Sequence, residues 1–132
     1  MEISDIIRCR MVDCIFCHPK QQLMIVGEYA YSMKDEFPVS NGHCLVIPKR
    51  HVESIFELSD DELKDLYVVL KQTKDKLEND YTPDGFNIGI NYKEAGGQTI
   101  PHAHIHIIPR YNRDVKNPRG GVRGVIPNKQ NY

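Results

Sequence analysis

The sequence predicts an α+β domain: a five-stranded antiparallel sheet carrying one long helix on a face. Three observations lead there. Short runs of strand-forming residues are separated by turn residues rather than by helical crossovers. A single segment carries helical periodicity with a start signal. The resulting order is strand, strand, strand, helix, strand, strand, with tight turns between most neighbours, which favours antiparallel pairing.

Residues 1–13 give no firm signal, and Cys14-Ile15-Phe16-Cys17-His18-Pro19 reads as a tight knuckle closed by proline. Leu23–Val26 and Tyr29–Met33 flank Gly27 as a hairpin, Pro38–Gly42 is a turn, and His43–Ile47 is a third strand that Pro48 should stop. Ser59-Asp60-Asp61-Glu62 forms a capping box whose carboxylates complement the helix dipole. From there Leu63, Leu66, Tyr67, Leu70 and Leu77 are expected to share the buried face of a helix ending near Asn79 or Asp80. Phe86–Asn91 alternates as a fourth strand, and a loop through Gly97 leads to a fifth. The whole chain, 1–132, is read as one domain, with residues 111–132 as an irregular arm.

Lys and Arg number 17 against 18 Asp and Glu, so no global field recruits nucleic acid or an anionic membrane. Any phosphate site must be local. No apolar stretch reaches membrane-spanning length and no signal-peptide core forms near Arg8 and Arg10, so a cytoplasmic protein is expected. Four cysteines in such a chain are thiols or metal ligands rather than a disulfide frame. Cys9 and Cys44 stand alone and receive no role.

The fifth strand carries the chemistry. His102, His104 and His106 alternate with Ala103, Ile105 and Ile107, so on an extended chain the imidazoles share one face and the apolar residues the other. One histidine at such a position is ordinarily a satisfied polar residue; three in register suit proton transfer, nucleophilic attack or metal binding. The preceding Gly96-Gly97-Gln98-Thr99 turn is expected to offer free backbone N–H groups to an anion. A neutral imidazole nitrogen can attack phosphorus to give a phospho-histidine that water later opens. Zinc held by all three triad histidines is disfavoured, because ligands at i, i+2 and i+4 of one strand leave the outer rings far apart.

Cys14 and Cys17 can hold a metal or form a redox dithiol. Pro19 and the lack of an upstream strand speak against the redox reading. Two further zinc ligands would come from His18, His43, His51 and the triad, and spacing does not choose among them. The stretch Arg110–Gly124 holds five of the seventeen basic residues; it reads as a solvated tail, or as a clamp on a polyphosphate.

His102-Ala103-His104-Ile105-His106-Ile107-Ile108 resembles the alternating signature of the histidine triad superfamily of nucleotide hydrolases and transferases, and Gly42–His51 resembles its second signature strand. The similarity runs from Cys14 to Arg110. It implies the family sheet and helix, dimerised into a ten-stranded sheet, with His104 as nucleophile on an α-phosphate. It implies that the carbonyl of His102 orients His104, that His106 and Gln98 contact phosphate, and that His43 supports the network. Thr99 would lie near the leaving group, Asp35 would hold the ribose, and Asn91 and Gly97 would line the phosphate site. In members that begin with Cys-x-x-Cys, the resemblance implies a structural zinc, here on Cys14, Cys17, His51 and His102.

Ile105 and the retained His106 disfavour the galactose-1-phosphate uridylyltransferase branch. Glu94–Thr99 and Ile108–Arg110 look more like dinucleoside-polyphosphate hydrolases of the fragile-histidine-triad type. The expected ligand is therefore a purine nucleotide or dinucleoside polyphosphate. The leading expectation is a hydrolase working through a nucleotidyl-histidine. Its alternatives are a phosphorylase or phosphoramidase using the same histidine, a non-catalytic nucleotide sensor, and, more remotely, a zinc-dependent redox protein.

Overall fold

A computed structural model describes residues 13–132; residues 1–12, and with them Cys9, lie outside the described part. Five strands, β1 (Leu23–Val26), β2 (Ala30–Lys34), β3 (Cys44–Pro48), β4 (Gly85–Ile90) and β5 (Ile105–Arg110), form one sheet. Their spatial order is β1-β2-β3-β5-β4 and every pairing is antiparallel. The long helix α1 (Asp60–Tyr81) connects β3 to β4 across one face.

Boundaries differ from expectation in ways that have physical causes. Pro48 ends β3 as its last residue instead of stopping it one residue earlier, since its carbonyl and fixed φ remain compatible with a strand terminus. Only His106 of the triad lies within β5. His102 and His104 sit in the approach to it, where the Ala103 N–H donates to the Val52 carbonyl at 2.7 Å. Gly42 turns the chain into β3 at φ +90°, where a Cβ would press on Tyr81, Pro109 and Leu77.

The capping box forms as expected, with the Glu62 N–H donating to Ser59 Oγ and Glu62 Oε1 accepting from the Ser59 N–H. The buried stripe of α1 is rotated from the predicted one: Glu62, Leu66, Val69, Thr73 and Leu77 face inward, whereas Leu63 and Tyr67 are exposed. Two polar residues occupy that stripe because each finds a partner. Glu62 receives a two-pronged bond from Arg50 at 2.9 and 3.0 Å, and the Thr73 hydroxyl bonds Ser32 Oγ at 2.7 Å.

The sheet separates two apolar clusters. Ala30, Cys44, Val46, Ile105 and Ile107 pack with Leu66, Val69 and Leu77 of α1. On the other face Tyr31, Met33, Leu45 and Ile47 pack with Phe16 from the knuckle. Ala103, Ile105 and Ile107 thus belong to the helix side, as their alternation predicts, and the histidines belong to the other. The arm contains two short 3-10 turns, Gly121–Val125 and Pro127–Lys129. Its Tyr132 ring has the guanidiniums of Arg119 and Arg123 each 4.7 Å from its centre.

Candidate functional site

The row of histidines divides its labour. His102 is fully buried and its Nε2 donates to the Pro48 carbonyl at 2.8 Å, so the lone pair of Nδ1 is left for another partner. That nitrogen lies 3.4 Å from Cys14 Sγ, 3.5 Å from Cys17 Sγ and 3.2 Å from His51 Nδ1, while Cys17 Sγ is 3.1 Å from His51 Nδ1. A tetrahedral ion with metal–sulfur bonds of ~2.3 Å and metal–nitrogen bonds of ~2.0–2.1 Å separates its ligands by roughly 3.3–3.8 Å. All four donor atoms lie within 4.8 Å of one another. The residues therefore fit a four-coordinate metal, and a carbonyl already orients one of the imidazoles from behind. His18, His43, His104 and His106, the other candidates for this cluster, are not part of it.

Charge points the same way. Burial, with Cys14 beside it, pushes the Cys17 thiol up to about 12, and burial pushes His102 down to about 4. A cation beside the Cys17 sulfur would reverse that shift and favour its thiolate.

His104 turns elsewhere. Its Nδ1 donates to the His102 carbonyl at 2.9 Å, which fixes the tautomer and leaves the lone pair on Nε2. The Phe16 ring stands against it with centroids 4.9 Å apart, and edge-on to His102 at 5.8 Å. Phe16 is held in turn by its carbonyl, which accepts from the Tyr31 hydroxyl. His106 Nδ1 lies 3.0 Å from His43 Nε2, and His43 Nδ1 accepts from the Val39 N–H at 3.1 Å. This chain of bonds puts the His43 ring proton on Nε2 and the His106 ring proton on its own Nε2. Burial lowers both pKa values; in His106 the neighbouring imidazoles His104 and His43 lower it further, and in both the Asp35 carboxylate opposes the shift.

His104 and His106 form one wall of a cleft of about 280 Å³. Asp35, Asn91, Gly97 and Thr99 also line it, as do the apolar Phe16, Met33, Phe37 and Leu45. A larger hollow of about 510 Å³ opens beside Cys14 and His51 and shares Ile15, Thr99 and Ile100 with the cleft, but it contains neither His104 nor His106. His43 stands behind the cleft, against His106. No Lys or Arg of the described residues lines the cleft.

The structure places three features differently from expectation. Gln98 is not in the cleft wall: its amide nitrogen donates to the Glu53 and Ile100 carbonyls and its oxygen accepts from the Lys93 N–H, so its side chain braces the loop. The N–H groups of Gly96, Gly97 and Gln98 are not free, because a 3-10 turn spends them on the Lys93 and Glu94 carbonyls. The arm brings no guanidinium to the cleft. Arg110 is tied to Asp114 and Asn87, and Arg119 and Arg123 lie on Tyr132. Gly97 remains the residue its position needs, at φ +91°, where an added Cβ would touch the Asn91 side chain without clashing but would strain the backbone. Phe16, Phe37 and the Val39 N–H were missed from sequence. Phe16 alone carried a signal, as an aromatic residue enclosed within Cys-x-x-Cys.

Comparison with known proteins agrees with this geometry. Residues 19–113 match the HIT domain family. A HIT-like protein of Mycoplasma pneumoniae is 35% identical over 104 residues, which cover 75% of this chain and 72% of that one. The bis(5'-adenosyl)-triphosphatase of Dictyostelium discoideum is 33% identical over 98 residues, covering 74% and 66%. The crystal structure of a zinc-bound histidine triad family protein from Mycobacterium smegmatis superposes with a TM-score of 0.71 at 28% identity, covering 79% of each chain. In sequence and in architecture, the chain belongs to the HIT domain family.

Proposed function

We propose that the protein is a nucleotide hydrolase that cleaves at the α-phosphate of a dinucleoside polyphosphate or related nucleotide conjugate through a nucleotidyl-histidine on His104. One observation carries the reading: Nδ1 of His104 is committed to a carbonyl, so Nε2 is left with a lone pair in the wall of a cleft that also holds Asp35, Asn91, Thr99 and His106. The purine base would lie among Phe16, Met33, Phe37 and Leu45, and the ribose beside Asp35. With no lysine or arginine in the described wall, charge developing on the phosphate is met by His106 Nε2–H, the Thr99 hydroxyl and the Asn91 amide. Gln98 would serve by holding the loop that carries Gly97 and Thr99.

The metal in this reading is zinc, held by Cys14, Cys17, His51 and His102. A closed shell of four protein ligands supplies a cross-link rather than an activated water. Through His102 it would fix the carbonyl that aims His104. A second copy of this chain is the expected partner. β4 is an edge strand of the sheet, and its Ile88 and Ile90 remain 44% and 39% exposed beside Tyr92.

Support also comes from the relative that acts on a dinucleoside polyphosphate, the Dictyostelium triphosphatase. Hydrolysis of diadenosine tetraphosphate in oxygen-18 water tests the reading. Label should enter the mononucleotide, whereas label found only on the departing polyphosphate would exclude attack at the α-phosphorus. Added inorganic phosphate should not divert the product to a nucleoside diphosphate; if it does, the protein is a phosphorylase.

A further inference from the structure

One cluster in the cleft wall is not explained by the attack of His104. Asp35, just after β2, His43, just before β3, and His106, within β5, bring a carboxylate and two imidazoles within 4.8 Å of one another. Such a set is a familiar ligand group for a divalent metal. The hydrogen bonding argues otherwise. His43 Nδ1 accepts the Val39 N–H, so its Nε2 carries the ring proton and has no lone pair to give an ion. That N–H faces His106 Nδ1 at 3.0 Å and Asp35 Oδ2 at 3.4 Å. The same carboxylate oxygen is 3.8 Å from His106 Nδ1, and the other oxygen accepts from the Phe37 N–H at 2.8 Å, which holds Oδ2 toward the rings.

We propose that Asp35 is the counter-ion of a protonated His106 and that this ion pair delivers the proton to the leaving atom of the bound nucleotide; the role rests on the hydrolase reading above. In the neutral state His43 Nε2–H donates to His106 Nδ1. When His106 takes a second proton, on Nδ1, its N–H and that of His43 would face each other, and Asp35 Oδ2, 3.4 Å from His43 Nε2 and 3.8 Å from His106 Nδ1, is the carboxylate oxygen that would close on both.

The proton bookkeeping closes over two steps. As the bond from His104 Nε2 to phosphorus forms, the bond from phosphorus to the leaving atom breaks, and its electron pair takes the proton from His106 Nε2. His106 is then neutral, with Nδ1–H on Asp35 and a lone pair on Nε2. In the second step a water oxygen bonds to phosphorus and its proton passes to His106 Nε2. The phosphorus–nitrogen bond breaks, its electrons return to His104 Nε2, and His106 is again protonated. The charged and titratable groups around His106 are Asp35, Glu36, His43 and His104. Burial and the two imidazoles disfavour its second proton, and the Asp35 carboxylate favours it.

The test compares two substrates that share adenosine monophosphate. In its 4-nitrophenyl ester the leaving group departs without a proton; in its alkyl phosphoramidate the leaving amine needs one. Asp35→Asn should lower kcat on the phosphoramidate about 10- to 100-fold more than on the ester, the lower part of the roughly 100- to 10,000-fold that a general acid contributes, because the acid stays and only its counter-ion is removed. Asp35→Glu, which keeps the charge, should recover part of that difference. Both comparisons are repeated with 2',3'-dideoxyadenosine substrates, which leave the sugar no hydroxyl for a carboxylate to hold. The selectivity for the phosphoramidate should persist there, whereas an Asp35 that acts only on the ribose would lose its effect. An equal loss on ester and phosphoramidate, with wild-type turnover intact, would overturn this proposal alone. Absence of turnover by the wild type, or full activity in His104→Ala, would remove the hydrolase reading and this proposal together.

Discussion

Replacing Cys17 by alanine removes one thiol from the side-chain cluster that joins the knuckle to His51 and His102, residues 34 and 85 positions away in sequence. Two structural consequences set the magnitude. Phe16, 2% exposed between the cysteines, loses the anchor that keeps it against the sheet, and exposing a buried phenylalanine costs about 1.5–3 kcal/mol. The bond from the Tyr31 hydroxyl to the Phe16 carbonyl goes with it, at about 1 kcal/mol. A loss of about 3 kcal/mol corresponds to roughly 10 °C in Tm for a chain of this length. The assay is thermal melting of the wild type with and without a strong chelator, and of Cys17→Ala, with metal content measured on each sample. The wild type should contain stoichiometric zinc, and chelated protein and variant should melt at similar, lowered temperatures. If chelation and substitution both leave Tm within about 2 °C of the untreated protein, the cluster does not hold the knuckle and the reasoning fails.

Other expectations are as specific. The Arg50 guanidinium beside Glu62 holds its carboxyl down to about 2 from 4.5, with the Ser59 N–H adding to the effect. A depressed carboxylate pKa contributes stability that is present above pH 4.5 and lost as pH falls toward 2, so urea midpoints should drop through that window and Glu62→Gln should flatten the drop. Thr73→Val removes a hydroxyl partner from fully buried Ser32 and should cost about 1–2 kcal/mol by urea denaturation; an unchanged midpoint would mean that Ser32 finds another hydrogen-bond partner. Ile88→Arg on edge strand β4 should shift a dimer to monomer in sedimentation, whereas a monomeric wild type would refute the paired-edge reading.

How much of this was legible in the sequence depended on whether a signal was local. The start of α1 was readable because a capping box is a four-residue pattern, and the alternation of His102, His104 and His106 with Ala103, Ile105 and Ile107 gave both faces of the approach to β5. The same kind of pattern recurs at Ser54-Ile55-Phe56-Glu57, where it caps a 3-10 turn. The inward stripe of α1 could not be read from hydrophobicity, because Glu62 and Thr73 are buried by virtue of Arg50 and Ser32, partners 12 and 41 residues away. Likewise the spacing of the cysteines leaves the other members of the candidate metal cluster open, and only the fold brings His51 and His102 to them. Gln98 carries the opposite lesson. A polar residue in a glycine-rich turn looks available to a ligand, yet the turn itself needs its amide to hold Lys93, Glu53 and Ile100 together.

The central claim is that Nε2 of His104 becomes bonded to phosphorus during turnover. Mixing the protein with radiolabelled diadenosine tetraphosphate, quenching in alkali within one turnover and mapping the labelled peptide by mass spectrometry tests it most directly. The account predicts an alkali-stable, acid-labile adenylyl group on His104, absent from His104→Ala. Turnover that proceeds with no adduct, or with the adduct on another residue, would contradict it.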